Sequence, residues 1–298
     1  MYFKNYELQN LHQIKSFIDN QNVETFSLHF LDQRSAVLAF DSNDVLVAVA
    51  MQVRNDLHPN TIDIEICVHS DKRRQGIGAK IFDKLMQEFP AQSGDYALDL
   101  KCESSDNEVQ LFAKSLGFEH YLSCFNKVFN IDELTLIDCP YHFMTLSEFY
   151  SLNEEENKRK VKEFHCSRYD RDHEPYLPLT KDQGIRFDYY NDGDIKYGGV
   201  ILNGNKIIAC SFAYLNIEEE LDEDLENITG LHGYAIGLSK DVEASLVQAL
   251  YSHQMRLLKK EGYQYIYIEV DSIESTSDLM LKWLPPMRAP LLRFQRKV

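Results

Sequence analysis

At 298 residues, with 44% hydrophobic and 26% charged side chains, the chain has the composition of an ordinary folded protein of about two domains. Its 31 basic and 47 acidic residues leave a net charge of -16, which argues against a nucleic-acid partner and favours cationic substrates. No stretch reaches the roughly 18 apolar residues of a membrane span and no signal core opens the chain, while the six cysteines form no Cys-x-x-Cys pair, so the expectation is a cytoplasmic protein without a membrane partner, its thiols reduced and buried.

In chain order, a strand is expected at 1–8, helices at 11–19 and 23–33, and strands at 35–40 and 45–53 around the turn Asp41-Ser42-Asn43-Asp44. Ile62, Ile64, Ile66 and Val68 then alternate with Asp63, Glu65, Cys67 and His69, the period of a strand over 61–69. Ile77, Ile81, Leu85 and Phe89 recur at helical spacing over 76–89. A strand at 95–103, a helix at 106–116 and a strand at 118–129 complete the first half. Residues 146–170 read as helical and give way to a connector, Asp170-Arg171-Asp172-His173-Glu174-Pro175-Tyr176, whose prolines speak for an exposed segment, so no metal site is expected there despite the acids around His173 and nearby His165. The run Glu218 to Asp224 reads as a solvated loop. Strands at 197–202, 207–215 and 227–237, a helix at 241–261, a strand at 265–270, a helix at 275–284 and a strand at 291–296 follow. This order repeats the strand-helix-strand-helix-strand pattern of 61–129, as a tandem duplication would. The basic stretch from Lys282 to Val298 reads as a solvated strand and tail, with a second anion site as the alternative.

Between the strand at 61–69 and the next helix lies Lys72-Arg73-Arg74-Gln75-Gly76-Ile77-Gly78-Ala79-Lys80. The first amides of a helix have no intrahelical partner and sit at its positive end, glycines let an anion approach, and Arg73 offers a fork of donors, so this turn reads as a phosphate cradle. A Walker loop would need another glycine spacing and a hydroxyl for magnesium; a dinucleotide fingerprint would need glycine where Ile81 stands. The second half has Gly237-Leu238-Ser239-Lys240-Asp241 in its place, where an acid at the helix start would repel a pyrophosphate.

Arg73-x-x-Gly76-x-Gly78 after a strand, followed downstream by Leu116-Gly117-Phe118, resembles the GCN5-related N-acetyltransferase (GNAT) superfamily over about the first 130 residues. The resemblance implies two tandem α/β (α+β) domains, 1–133 and 134–298, each a mixed, mostly antiparallel twisted sheet flanked by helices. The second copy is degenerate and shapes an acceptor cleft, with Tyr197, Tyr234, His232 and His173 as candidates to line it. It implies acetyl-CoA as acyl donor, held by Val68, Arg73, Arg74, Gln75, Gly76, Ile77, Gly78, Ala79, Asn107 and Phe112, and an amine of a small molecule or peptide as acceptor. The Val68 backbone N–H is the expected oxyanion donor. Two departures stand out: the family's tyrosine position falls on Ala113, and its usual base positions are Ile62 and Ile64, leaving Glu65 as the nearest titratable candidate. A catalytically silent acyl-CoA sensor is therefore the competing expectation, and an obligate structural partner the third.

Overall fold

The computed structural model describes residues 1–7, 10–21, 35–54, 56–92, 97–138, 140–188, 190–217, 221 and 225–298. The helix expected at 23–33, the residues around Tyr96, and all of the acidic run 218–224 but Leu221 lie outside the described residues. The chain forms two compact units: Met1–Tyr121 with Leu291–Val298, and Leu122–Pro290. Both are mixed α/β, each a mostly antiparallel sheet flanked by helices. Among the described residues no helix is long and apolar enough to cross a membrane.

The first unit holds β1 (Tyr2–Asn5), α1 (Leu11–Asp19), β2 (Ser35–Phe40), β3 (Leu46–Arg54), β4 (Thr61–Val68), α2 (Ile77–Glu88), β5 (Ala97–Glu103) and α3 (Asn107–Ser115). Its strand order is β1-β2-β3-β4-β5-β12, with β12 at Leu291–Lys297. Alternation sorts the sheet's side chains onto two faces. Ile62, Ile64, Leu98 and Leu100 pack with Ile77, Ile81, Phe82 and Leu85 of α2, with Ala113 and with Phe294. On the opposite face Val49, Met51 and Cys67 meet Ile14, Phe17 and Ile18 of α1. The turn between β2 and β3 is held by Asp41, whose Oδ1 accepts from the Asn43 and Val45 amides at 2.8 and 3.1 Å.

β4 and β5 are parallel and paired only over Thr61–Asp63 and Ala97–Asp99, although both strands run on to Val68 and Glu103. Beyond Asp63 β4 therefore offers an unpaired edge to a wedge, while β5 is paired along its whole length with β12.

The second unit takes up β6 (Glu119–Asn130) from Leu122 onward and adds β7 (His142–Thr145), α4 (Leu146–Leu152), α5 (Glu154–His173), α6 (Gln183–Asp188), β8 (Gly199–Asn203), β9 (Lys206–Leu215), β10 (Ile228–Ala235), α7 (Lys240–Lys260), β11 (Tyr265–Asp271) and α8 (Ser277–Trp283). Its order is β6-β11-β10-β9-β8-β7. A capping box between Thr145 and Glu148 starts α4. The parallel pair β10 and β11 likewise parts, after Leu231 and Ile268. The two units thus share their internal plan, as the repeated pattern leads one to expect.

Three expectations change. The boundary falls between Tyr121 and Leu122 rather than after 133, because β6 pairs with β11 from Cys124 to Asn130, and β12 returns to the first unit. The basic stretch is not a solvated tail: Phe294 is 1% exposed and Arg293 is bound to a buried carboxylate. Residues 170–173 are the last turn of α5, not a connector, and His165 and His173 are 0% and 1% exposed.

Candidate active site

The cradle is built at the end of β4. His69 closes a short 3-10 turn, Ser70–Lys72, its Nδ1 accepting from the Asp71 amide at 3.2 Å. Ser70 N donates to Gln21 Oε1 at 2.8 Å. Arg74 takes φ 60° and Gly76 φ 73°, both left-handed, which swings the chain into α2. No side chain caps α2 at its Gly76 end, so its leading amides carry the orphan donors and positive pole of a helix start. Arg73, Arg74, Gln75, Gly76 and Lys80 are exposed there; Lys72, Gly78 and Ala79 are partly so, and Ile77 turns into the core. Arg73 Nε donates to the Val68 carbonyl at 3.1 Å, folding the guanidinium back over the strand end, and Gln75 Nε2 donates to Asp71 O at 3.3 Å.

The two glycines do different work. A Cβ on Gly76 would meet nothing within 4 Å, so that position is glycine for its backbone angle. A Cβ on Gly78 would stand 3.0 Å from Cε2 and Cζ of Phe112, so that position is glycine because α3 lays an aromatic ring against α2. Phe112 is thus brought to the cradle. Asn107 is the exposed first residue of α3, whose start is capped by Asp106 accepting from the Val109 amide at 3.0 Å. Ala113, at the expected tyrosine position, is 0% exposed in the core.

The Val68 amide follows from the ladder. His69 N donates to Val47 O at 2.9 Å, and β3 and β4 stay in one register from Val68 to Ile62. Antiparallel alternation then turns the His69, Cys67 and Glu65 backbone groups toward β3 and those of Val68, Ile66 and Ile64 toward the wedge. Side chains split by the same period. Ile62 and Ile64 face the α2 core, while Glu65, half-buried, lies with Asp63 and Cys67 on the α1 face. His69 shares the alternation of Glu65, as the strand pattern leads one to expect, and its position at the strand end makes it a second candidate there.

At the closed end of the wedge Asp99, 0% exposed, accepts from Arg293 Nε and Nη2, both at 3.1 Å, and from the Tyr121 hydroxyl at 2.5 Å. Arg293 also reaches Asp63, which Lys101 pairs at 3.0 Å. Burial pushes the Asp99 carboxyl up, and Arg293 pulls it the other way. Two thiols flank the wedge. Burial pushes Cys67 up to about 11 against the pull of Arg73, and burial with Asp106 and Glu103 pushes Cys102 up to about 11. Neither is a thiolate at neutral pH.

In the second unit the corresponding turn is already filled. Ser239 caps the Val242 amide, and Glu243 accepts from Gly237 N at 3.2 Å and from Arg171 Nη1 at 3.0 Å. A carboxylate of the chain itself stands where the first unit leaves donors open. Counting from the first paired residue of β4 and β10, Glu65 corresponds to His232 and Cys67 to Tyr234. Tyr234 donates to Glu274 at 2.9 Å, His232 contacts Tyr234, and His165 from α5 is ringed by Tyr190, Phe212, His232 and Tyr234. Tyr197 is not among them and packs on Tyr263.

Residues 3–127 match the family described as an acetyltransferase (GNAT) domain. No curated protein matches the chain. Among solved structures, a GCN5-related N-acetyltransferase from Sphaerobacter thermophilus aligns with TM-score 0.63 and 11% identity over 99% of this chain and 95% of its own. The glucosamine N-acetyltransferase region of a fungal multi-domain beta-N-acetylglucosaminidase aligns with TM-score 0.62 and 13% identity over 99% of this chain and 38% of its own. A conserved protein from Enterococcus faecalis V583 gives 0.53 and 10% over 100% and 72%. At these identities the structural likeness speaks for the fold. The match to the acetyltransferase family reaches residues 3–127 only, and it and this fold are what the chain is similar to.

Proposed function

We propose that the first unit binds acetyl-CoA and passes its acetyl group to an amine by direct attack. The observation that carries this reading is the uncapped start of α2, where Gly76 and Gly78 leave the amides of Gln75 to Ala79 open beside Arg73 and Arg74. A pyrophosphate fits such a helix start. Arg73 Nη1 and Nη2 make no hydrogen bond among the described residues and supply the charged fork. Phe112 flanks the same cradle from α3, the helix that Asn107 opens.

Direct attack fits better than an acetyl-cysteine intermediate, because Cys67 and Cys102 are both held protonated. The Val68 N–H, turned into the wedge, would meet the developing oxyanion; a donor of this kind is worth about 3 kcal/mol. For the proton of the incoming amine we assign Glu65 and His69, the titratable side chains on the α1 alternation of β4 and its end. Deprotonating a lysine-like amine at pH 7 costs about 4.6 kcal/mol, and an α-amine only about 1 kcal/mol. Apolar Ile62 and Ile64 therefore favour a weakly basic acceptor.

Isothermal titration with acetyl-CoA tests the cradle. Arg73→Ala combined with Gly76→Asp is expected to lower affinity at least 100-fold with the fold retained by circular dichroism; unchanged affinity would overturn the assignment. Release of free thiol over a panel of amines, aminoacyl compounds and peptides tests transfer. The silent sensor is favoured by one observation, the absence of a hydroxyl at Phe112 and Ala113, and it predicts saturable CoA binding without turnover on any acceptor.

A further inference from the structure

The second unit carries a group of side chains that the acyl-transfer reading does not use. Cys124 on β6 stands directly opposite Asp271 on β11, and Glu269, two residues earlier, shares the face of Asp271. One donor atom from each of the three lies within 4.8 Å of the other two, and among the described residues this is the one such group of three. Cys124 is buried, Asp271 half-buried and Glu269 exposed. Glu269 also accepts from the Tyr267 hydroxyl at 3.1 Å. His173, in the last turn of α5, reaches the same carboxylate, its Nε2 3.4 Å from Asp271 Oδ2.

One feature calls for a cation. Asp271 Oδ1 is buried without a hydrogen-bond partner. An ion among Cys124, Glu269 and Asp271 gives it one. A set of one sulfur and two carboxylates suits a borderline ion and not calcium or magnesium, which take oxygen ligands. Zinc bonds of about 2.0 to 2.3 Å place tetrahedral ligands about 3.3 to 3.7 Å apart, so donor atoms already within 4.8 Å of one another need draw in by only about 1 Å. His173 stays outside this group and steadies Asp271 from behind, its other ring nitrogen 3.1 Å from the Tyr169 carbonyl, as outer partners steady zinc ligands. Exposed Glu269 marks the way in.

We propose that the second unit holds a zinc-type divalent ion on Cys124 Sγ, Glu269 and Asp271, with water in the fourth place and His173 as the positioning partner of Asp271. On coordination Cys124 gives its thiol proton to solvent, and the ion ties β6 to β11 at the mouth of the parted β10–β11 pair.

The test uses the full chain stripped of metal by a chelator and titrated with cobalt(II) as the spectroscopic probe. One equivalent is expected to give the visible bands of a tetrahedral site and a near-ultraviolet thiolate-to-cobalt band, and zinc should displace both while calcium leaves them. Cys124→Ser should remove the thiolate band, Asp271→Asn and His173→Gln should each weaken binding at least tenfold, and Cys102→Ser should change nothing. Zinc should also raise the melting temperature of the wild type and not that of Cys124→Ser. No thiolate band in the wild type, or a band that survives in Cys124→Ser, overturns the proposal.

Discussion

Gly76 and Gly78 sit two residues apart and answer to different constraints, so their variants should fail differently. Gly76→Ala places a Cβ at φ 73° with open space around it, and should cost about 1 kcal/mol of stability through backbone strain alone. Gly76→Asn should cost less, since asparagine tolerates that region. Gly78→Ala must instead displace the Phe112 ring, and Phe112→Leu should relieve it; paired urea melts and acetyl-CoA titrations distinguish the two, and equal penalties without rescue would contradict the account. In the second unit His165 and His232 are kept neutral chiefly by burial, His165 well below its ordinary value and His232 pushed down to about 4. An unfolded histidine titrates near 6.5, so stability present above about pH 6.5 should be lost as pH falls toward 4. For His232, which keeps some exposure, the loss is about 2 kcal/mol, from a gap of roughly 2.5 units at about 1.4 kcal/mol each, discounted for solvent. Urea midpoints between pH 7 and 4.5 should fall less steeply in His232→Gln; identical slopes would refute the assignment.

Among the elements, β12 is the one whose place its own residues do not announce. Leu292 and Phe294 alternate with Arg293 and Gln295 well enough to mark a strand, and a strand is there. Its partner is another matter, because Asp99 and Arg293 are 194 residues apart and local spacing carries no record of so distant a pairing. The charge of Arg293, ordinarily a sign of solvent, was legible; the buried carboxylate that receives it was not. The cradle was legible for the opposite reason: Arg73, Gly76 and Gly78 belong to one continuous turn, and Ile62, Ile64, Ile77 and Ile81 announce the strand and helix on either side. Arg293→Met should therefore leave Asp99 buried without its cation and cost about 3 to 5 kcal/mol. Replacing both partners, Arg293→Met with Asp99→Leu, should recover much of that loss in urea denaturation; a double variant no better than the single would show the pair to be dispensable.

For the molecule as a whole, the two repeats of the pattern are not the two units of the fold. Residues 1–121 reach completion only with β12, and β6 serves the second unit from Leu122 onward. A fragment of residues 1–133 should show weak, non-cooperative unfolding, whereas residues 1–121 joined by a flexible linker to 291–298 should unfold cooperatively by circular dichroism. Cooperative unfolding of the unlinked fragment would mean that β12 is dispensable. During synthesis this arrangement sets a clock. At about 5 to 20 residues per second, β5 waits about 10 to 40 s after leaving the ribosome before β12 exists to cover it. Its edge in that interval is an invitation to other chains, and Lys101 and Glu103, exposed charges alternating with buried Leu100 and Cys102, are the kind of residues that discourage unwanted pairing. Completion of the first unit is then a late event in the life of each new molecule, available only once the second unit has been made.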